Sequence, residues 1–356
     1  MEFYVYIFVI YLITLFVYLY INTQRMSTPA ADNLSLAPAA SQLSSSTLTR
    51  GSLKPLSSIA NIHTRTNSNE NEAKKQVLAC PICYDMLIWD HDPVFSVDST
   101  PRFILECSTC KKAYSGNETH LDLTLTSGTK KNDGYMPASS EVFRLPLVSF
   151  LYERGWRQGF TLWAGFPGPE KEFEMMKDYL NPVTGGRIID ASCASGIFSR
   201  IFAKSELFSL VVALDFSETM LKQCYDFIKQ EQNISQENLI LVRADIARLP
   251  FASSSIDVVH AGAALHCWPS PSAGVAEISR ILRPGGVFVA TTYIIDGPLS
   301  FIPFLSLIRK NFRRISGSNM YLSKHELEDL CATCGLVDYT YVRNGRFIMI
   351  AARKPN

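Results

Sequence analysis

Net charge of either sign is almost absent from this 356-residue chain: 34 lysines and arginines face 33 aspartates and glutamates. No whole-molecule field therefore gathers phosphate backbones or anionic membranes, which weighs against a nucleic-acid partner without excluding it. Charge is also missing between Phe3 and Ile21, an almost wholly apolar run long enough to cross the roughly 30 Å hydrocarbon core of a bilayer. From about Ser27 to Glu72 the scarce ingredient is large apolar residues in a sustained period, so that stretch cannot bury enough surface to offset its ordering entropy. Residues 1–75 are accordingly set outside the fold. An even cysteine complement is lacking too: there are nine, four of them in two CxxC pairs, which favours metal binding in a reducing compartment over a secreted disulfide framework. The rest, 47% apolar and 19% charged over a length too great for one average domain, fits one large core with something smaller beside it.

The apolar run lacks a basic flank and carries Glu2. From Met26 the chain is rich in Ser, Thr, Ala and Pro, with Arg50, Lys54 and Arg65 but only Asp32 as an acid before Glu70, which is the composition of an organelle transit peptide. Residues 1–25 are thus either a transmembrane signal anchor or an upstream extension ahead of a start at Met26.

Cys80-Pro-Ile-Cys83 and Cys107-Ser-Thr-Cys110 flank a stretch of β character that includes Met86–Trp89 and Arg102–Glu106. Each CxxC turn can present two thiolates, and two turns complete a closed tetrahedral shell, so Cys80, Cys83, Cys107 and Cys110 predict a structural zinc ion in a zinc-ribbon-like module over residues 76–128. So small a module depends on its metal for much of its folding free energy. A third pair, Cys331 and Cys334, ends a helix beginning near Ser323, has no matching CxxC, and reads as core packing.

From Gly186 short apolar runs alternate with helical spacers: Arg187–Asp190, Leu210–Asp215, Leu239–Val242, Ile256–Val259 and Val287–Ala290. That pattern predicts a parallel sheet covered on both faces. Val337–Val342 and Phe347–Ile350 differ, because the Asn344-Gly345 pair between them signals a hairpin turn and hence an antiparallel pair at the end of the sheet. At the first strand end, Asp190-Ala191-Ser192-Cys193-Ala194-Ser195-Gly196 is a run of small residues opening a helix, where a backbone can turn sharply and approach a ligand.

This chain resembles the class I S-adenosylmethionine-dependent methyltransferases of the ubiquinone and menaquinone biosynthesis type. As a whole it is similar to plant chloroplast methyltransferases found with plastid lipid droplets. The small-residue loop carries the likeness, with Ser192 and Ala194 at two usual glycine positions. So do Asp215 at the second strand end, Arg243-Ala-Asp245-Ile246, the strand and loop from Asp257 to Trp268, and Glu277 to Gly286 with its Leu-Arg-Pro-Gly-Gly turn. The resemblance implies an α/β, Rossmann-like fold: a seven-stranded mostly parallel sheet with an antiparallel C-terminal hairpin over residues 183–356. The zinc-ribbon-like module and a helical cap over 129–182, containing Tyr152 and Trp156, precede it.

It also implies S-adenosyl-L-methionine as cofactor, held by Asp190, Ala191, Ser192, Ala194, Gly196, Asp215, Phe216, Asp245, Ile246 and His260. Asp215 accepts from the ribose hydroxyls, Asp245 accepts from the exocyclic amine, and Ile246 packs on the adenine. His266, in the loop beside the acceptor pocket, is the candidate general base, needed only where the acceptor must lose a proton. The implied acceptor is a small molecule or lipid such as a prenyl-quinone, in the chloroplast stroma or plastoglobule. Peripheral contact with plastid lipid droplets or the thylakoid membrane would go through the apolar Phe301–Ile308 run and its basic neighbours Arg309, Lys310, Arg313 and Arg314. The alternative is a ribosomal RNA base methyltransferase that uses its zinc module to recognise nucleic acid.

Overall fold

The computed structural model describes residues 77–89, 104–127, 164–231, 233–234, 238–295 and 323–356, with 161, 319 and 321 besides. The apolar N-terminus, the transit-like segment, Tyr152, Trp156 and the Phe301–Ile308 run lie outside the described residues. No helix among the described residues is long and apolar enough to cross a membrane.

Four short strands follow the first CxxC: β1 (Leu87–Trp89), β2 (Ile104–Cys107), β3 (Ala113–Gly116) and β4 (Leu121–Asp122). They pair antiparallel in sequence order. Strands β2 and β3 alternate exposed and buried, so the meander turns one face inward through Leu105, Cys107 and Tyr114.

Five parallel strands form the catalytic sheet: β5 (Arg187–Ala191), β6 (Leu210–Asp215), β7 (Leu239–Arg243), β8 (Ile256–Ala261) and β9 (Leu282–Tyr293). Their runs of Val, Ile and Leu are buried on both faces, as two apolar layers require. Helices α1 (Pro169–Leu180), α2 (Ile197–Lys204), α3 (Glu218–Gln230), α4 (Pro271–Ile281) and α5 (Lys324–Thr333) complete the layers. Three start where a serine accepts an amide hydrogen of the first turn: Ser217 from Met220, Ser270 from Ala273 and Ser323 from Glu326.

The C-terminal hairpin joins β10 (Val337–Asn344) to β11 (Phe347–Arg353), with β11 against β9. Its turn is displaced by one residue from the expected Asn344-Gly345. Asn344 still pairs with Phe347, so Gly345 and Arg346 are the central residues, and Gly345, with φ at 59°, takes the left-handed first position. Cys331 is buried in the core, as read from the sequence.

The seven strands expected over residues 183–356 are present as β5 to β11. The four strands of the small module extend the same sheet past β7, so that eleven run without interruption in the order β1-β2-β3-β4-β7-β6-β5-β8-β9-β11-β10. Leu121 and Asp122 pair in parallel with Val242 and Arg243. The nearly buried Arg243 closes the junction with an ion pair to Asp122 at 3.1 Å. The first knuckle adds to it: Ala79 donates to the Pro250 carbonyl, Ala252 to that of Val77, and Arg248 reaches the Pro81 carbonyl at 2.9 Å.

Candidate functional site

The small-residue loop leaves β5 with its backbone in the left-handed region at three alternate positions: Ser192 (φ 60°), Ala194 (φ 50°) and Gly196 (φ 79°). Two of these are not glycine, so the loop carries about 1–2 kcal/mol of local strain at each. The glycine conformation thus survives where the glycine does not. Gly196 itself is irreplaceable for a second reason: a Cβ there would lie 2.2 Å from the Cys224 sulfur on α3. Ser192 and Ala194 are partly accessible, whereas Ala191 and Gly196 are buried.

Asp215 ties this loop to the end of β6. Its Oδ2 accepts from the Ala194 amide at 2.9 Å and its Oδ1 from the Ser217 amide at 2.8 Å. Burial pushes its carboxyl up to about 6, against the pull of those donors and with the nearby Asp190 carboxylate adding to the rise. The Ala244 amide donates to the Asp215 carbonyl, which places Asp245 at the adjacent strand end. Asp245 Oδ1 accepts from the Ala247 amide at 2.9 Å, and Ile246 is buried. The Phe216 carbonyl accepts from Arg243 Nε at 3.1 Å, with its ring 5.5 Å below the guanidinium.

Asp190 and His260 lie beneath the loop, not at its mouth. They are register partners on β5 and β8, 2% and 0% exposed, with His260 Nδ1 2.9 Å from Asp190 Oδ1. Ser199 Oγ donates to Asp190 Oδ2 at 2.6 Å, and the imidazole packs against Phe198 and Phe202. Both side chains are enclosed by these contacts and brace the loop that follows β5.

His266 sits in the turn Leu265–Cys267 after β8. Its Nδ1 is 3.1 Å from Thr292 Oγ1, its ring lies against Tyr293, and burial holds its pKa down to about 4. The imidazole is therefore neutral at physiological pH. Trp268 is buried beside it, with its indole Nε1 donating to Ser192 Oγ at 2.9 Å.

The four cysteines converge as their spacing predicts. Their sulfurs all lie within 4.8 Å of one another, compatible with the ~3.8 Å edge of a tetrahedron built on Zn–S bonds of ~2.3 Å. The two knuckles repeat one backbone pattern: the Tyr84 and Lys111 amides, each on a left-handed residue, donate to the Cys80 and Cys107 carbonyls. Burial opposes ionisation of Cys80, but the Tyr114 hydroxyl at 3.1 Å and local amides hold its pKa down to about 7. Four clustered thiolates repel one another, and a dication relieves that repulsion, so the donor set fits zinc.

Residues 189–290, spanning the loop, Asp215, Asp245 and His266, match the family model described as a methyltransferase domain. The chain is also 63% identical over 290 residues, 81% of its own length and 81% of the relative's, to an uncharacterized chloroplastic methyltransferase of Arabidopsis thaliana. The chain belongs to the methyltransferase family. A second chloroplastic methyltransferase of Arabidopsis thaliana is 46% identical over 308 residues, covering 85% of this chain and 86% of that one. The demethylmenaquinone methyltransferase of Staphylococcus aureus is 29% identical over 144 residues, covering 40% of this chain and 51% of that protein. The protein is an S-adenosylmethionine-dependent methyltransferase. The signal for that loop was present in sequence as alternating small residues. No sequence signal marked the Arg243–Asp122, His266–Thr292 or Ser192–Trp268 contacts, which join positions 26 to 121 residues apart.

Proposed function

We propose that this methyltransferase acts on an uncharged small-molecule or lipid acceptor of the prenyl-quinone type in the chloroplast. The observation that carries the reading is the wall after β8: Leu265, His266, Trp268 and Tyr293 are buried, aromatic or aliphatic, and the one titratable group among them apart from the phenol is held neutral. Such a wall suits an apolar ring better than a phosphate backbone. The names of the Staphylococcus and Arabidopsis relatives support the acceptor class and the chloroplast, as does the composition after Met26.

S-adenosylmethionine, when bound, supplies a methyl group on a sulfonium, and the protein's task is alignment and exclusion of water. In this reading the left-handed loop from Ser192 to Gly196 brings the backbone close to the cofactor, and Asp215 accepts from its ribose hydroxyls. Asp245 accepts from the adenine amine, Ile246 packs on the ring, and Asp190 with His260 braces the loop from below. His266 is the group placed to take a proton from an oxygen or carbon acid acceptor. Cys80, Cys83, Cys107 and Cys110 hold a structural zinc ion, with no open position for catalysis.

The RNA reading finds little support in the module. Among the described residues its exposed large hydrophobic side chains are Ile82, Met86, Ile88, Ile104 and Leu125, and of the two lysines after Cys110 Lys111 is exposed while Lys112 donates to the Ser127 carbonyl at 2.8 Å. The test is incubation of the protein with methyl-labelled S-adenosylmethionine and either plastid lipid extract or plastid ribosomal RNA, with Asp215→Ala as control. Label in the organic-soluble fraction is expected. Label confined to RNA would establish the nucleic-acid reading instead.

A further inference from the structure

Ser192 occupies a backbone conformation that glycine adopts freely and serine does not, so its side chain has to be explained by what it contacts. Its hydroxyl accepts from Trp268 Nε1 at 2.9 Å, and Trp268 is 3% exposed, so this serine satisfies a buried indole donor. Gly274 on α4 makes room for the ring: a Cβ there would come within 2.8 Å of the indole and 3.1 Å of the Ile246 side chain. One indole thus touches the donor loop on one edge and shares a packing site with Ile246 on another.

The other end of Trp268 is tied to the acceptor side. Its carbonyl accepts from Asn319 Nδ2 at 2.7 Å, while the Asn319 amide donates to the His266 carbonyl at 2.7 Å. The Tyr321 hydroxyl reaches the Leu265 carbonyl at 3.4 Å. The turn carrying His266 is therefore fixed as a unit, and Ser192–Trp268 is a hydrogen bond that joins this unit to the donor loop.

We infer that Ser192 and Trp268 form a positioning pair that holds the acceptor-side turn in register with the cofactor loop, so that breaking their hydrogen bond weakens cofactor binding without unfolding the protein. The inference rests on the assignment of this loop as the cofactor site. Neither side chain reacts; each acts by fixing the loop that the other belongs to.

The experiment is calorimetric titration of the full chain with S-adenosylhomocysteine for the wild type, Ser192→Gly, Trp268→Phe and the double variant, with thermal melting of each. Ser192→Gly relieves the left-handed strain while removing the hydroxyl, so its Tm is expected to hold or rise while its affinity falls roughly three- to tenfold. Trp268→Phe keeps a ring and removes the donor, with a similar loss expected. The double variant should be no weaker than the weaker single one, because both remove the same bond. A purely structural contact would instead lower Tm and leave affinity within twofold, and that result, or losses that multiply in the double variant, overturns the pair. A folded wild type that does not bind S-adenosylhomocysteine overturns the cofactor assignment, and with it the pair.

Discussion

Acidification should weaken cofactor binding through a single carboxyl. Asp215 has its pKa raised to about 6 by burial, and its ionised form, acceptor-only on both oxygens, takes two hydroxyl donors far better than the acid, which gives up part of that capacity to its own proton. Hydrogen bonds from a bound ribose favour the ionised form and draw the pKa down, so binding and deprotonation are linked. At pH 7 about ten sites in eleven are ionised; at pH 5 about one in eleven is. The dissociation constant should therefore rise about tenfold from pH 7 to pH 5, or about 1.4 kcal/mol. Within this window the α-amino group of the ligand stays protonated, and the Cys267 thiol, pushed up to about 12 by burial, stays neutral. Calorimetry with S-adenosylhomocysteine in buffers of different ionisation enthalpy reads both quantities, and near pH 6 about half a proton should leave on binding. Asp215→Asn should bind more weakly and lose the slope. An affinity that is flat from pH 7 to pH 5 in the folded wild type, or one that tightens with acid, would refute the role given to Asp215.

Three further outcomes follow from the same geometry. Gly196→Ala, which drives a Cβ into the Cys224 sulfur at a left-handed position, should cost at least about 3 kcal/mol and yield insoluble protein, with partial recovery in Gly196→Ala/Cys224→Ala measured by soluble yield and melting. Cys83→Ser should abolish stoichiometric zinc and lower the Tm of the whole chain by about 10 °C, since the knuckle pairs with the Pro250–Ala252 strip; metal analysis with calorimetry checks this. His266 must be neutral to accept a proton and has a pKa of about 4, so at saturating cofactor the rate should be flat from pH 6 to pH 8 and fall only towards pH 4, and His266→Ala should remove that acid limb.

The parallel strands, their order along the chain, the closing hairpin and the four-cysteine cluster were all readable from residue pattern, because each is encoded within a few neighbouring positions. What joins distant positions was not. A two-residue strand such as Leu121–Asp122 gives no periodic signal, so its pairing with Val242 and Arg243, and with it the continuity of the sheet, was invisible. The hairpin register slipped by one because Gly345 can take the left-handed place in more than one turn type. His260 read as a strand-end residue beside a ligand, and nothing in the sequence told that its neighbour Asp190 would claim it. Ser192 and Ala194 looked like weakened glycines, while the structure shows the glycine backbone retained at the expense of local strain.

The pairing of β4 with β7 also bears on the open edge of the sheet. A seven-stranded sheet would end at β7, whose Leu-Ile-Leu-Val backbone would present a row of open donors and acceptors to any passing strand. Leu121, Asp122 and the Leu123 amide occupy the carboxyl end of that row, and the meander that carries the four cysteines holds them there. The four-cysteine module thus acts as an edge guard, so a fragment trimmed to residues 183–356 should retain its fold elements yet associate through β7. Loss of the proposed zinc ion should then be felt first as aggregation, read by light scattering, and only afterwards as lost chemistry.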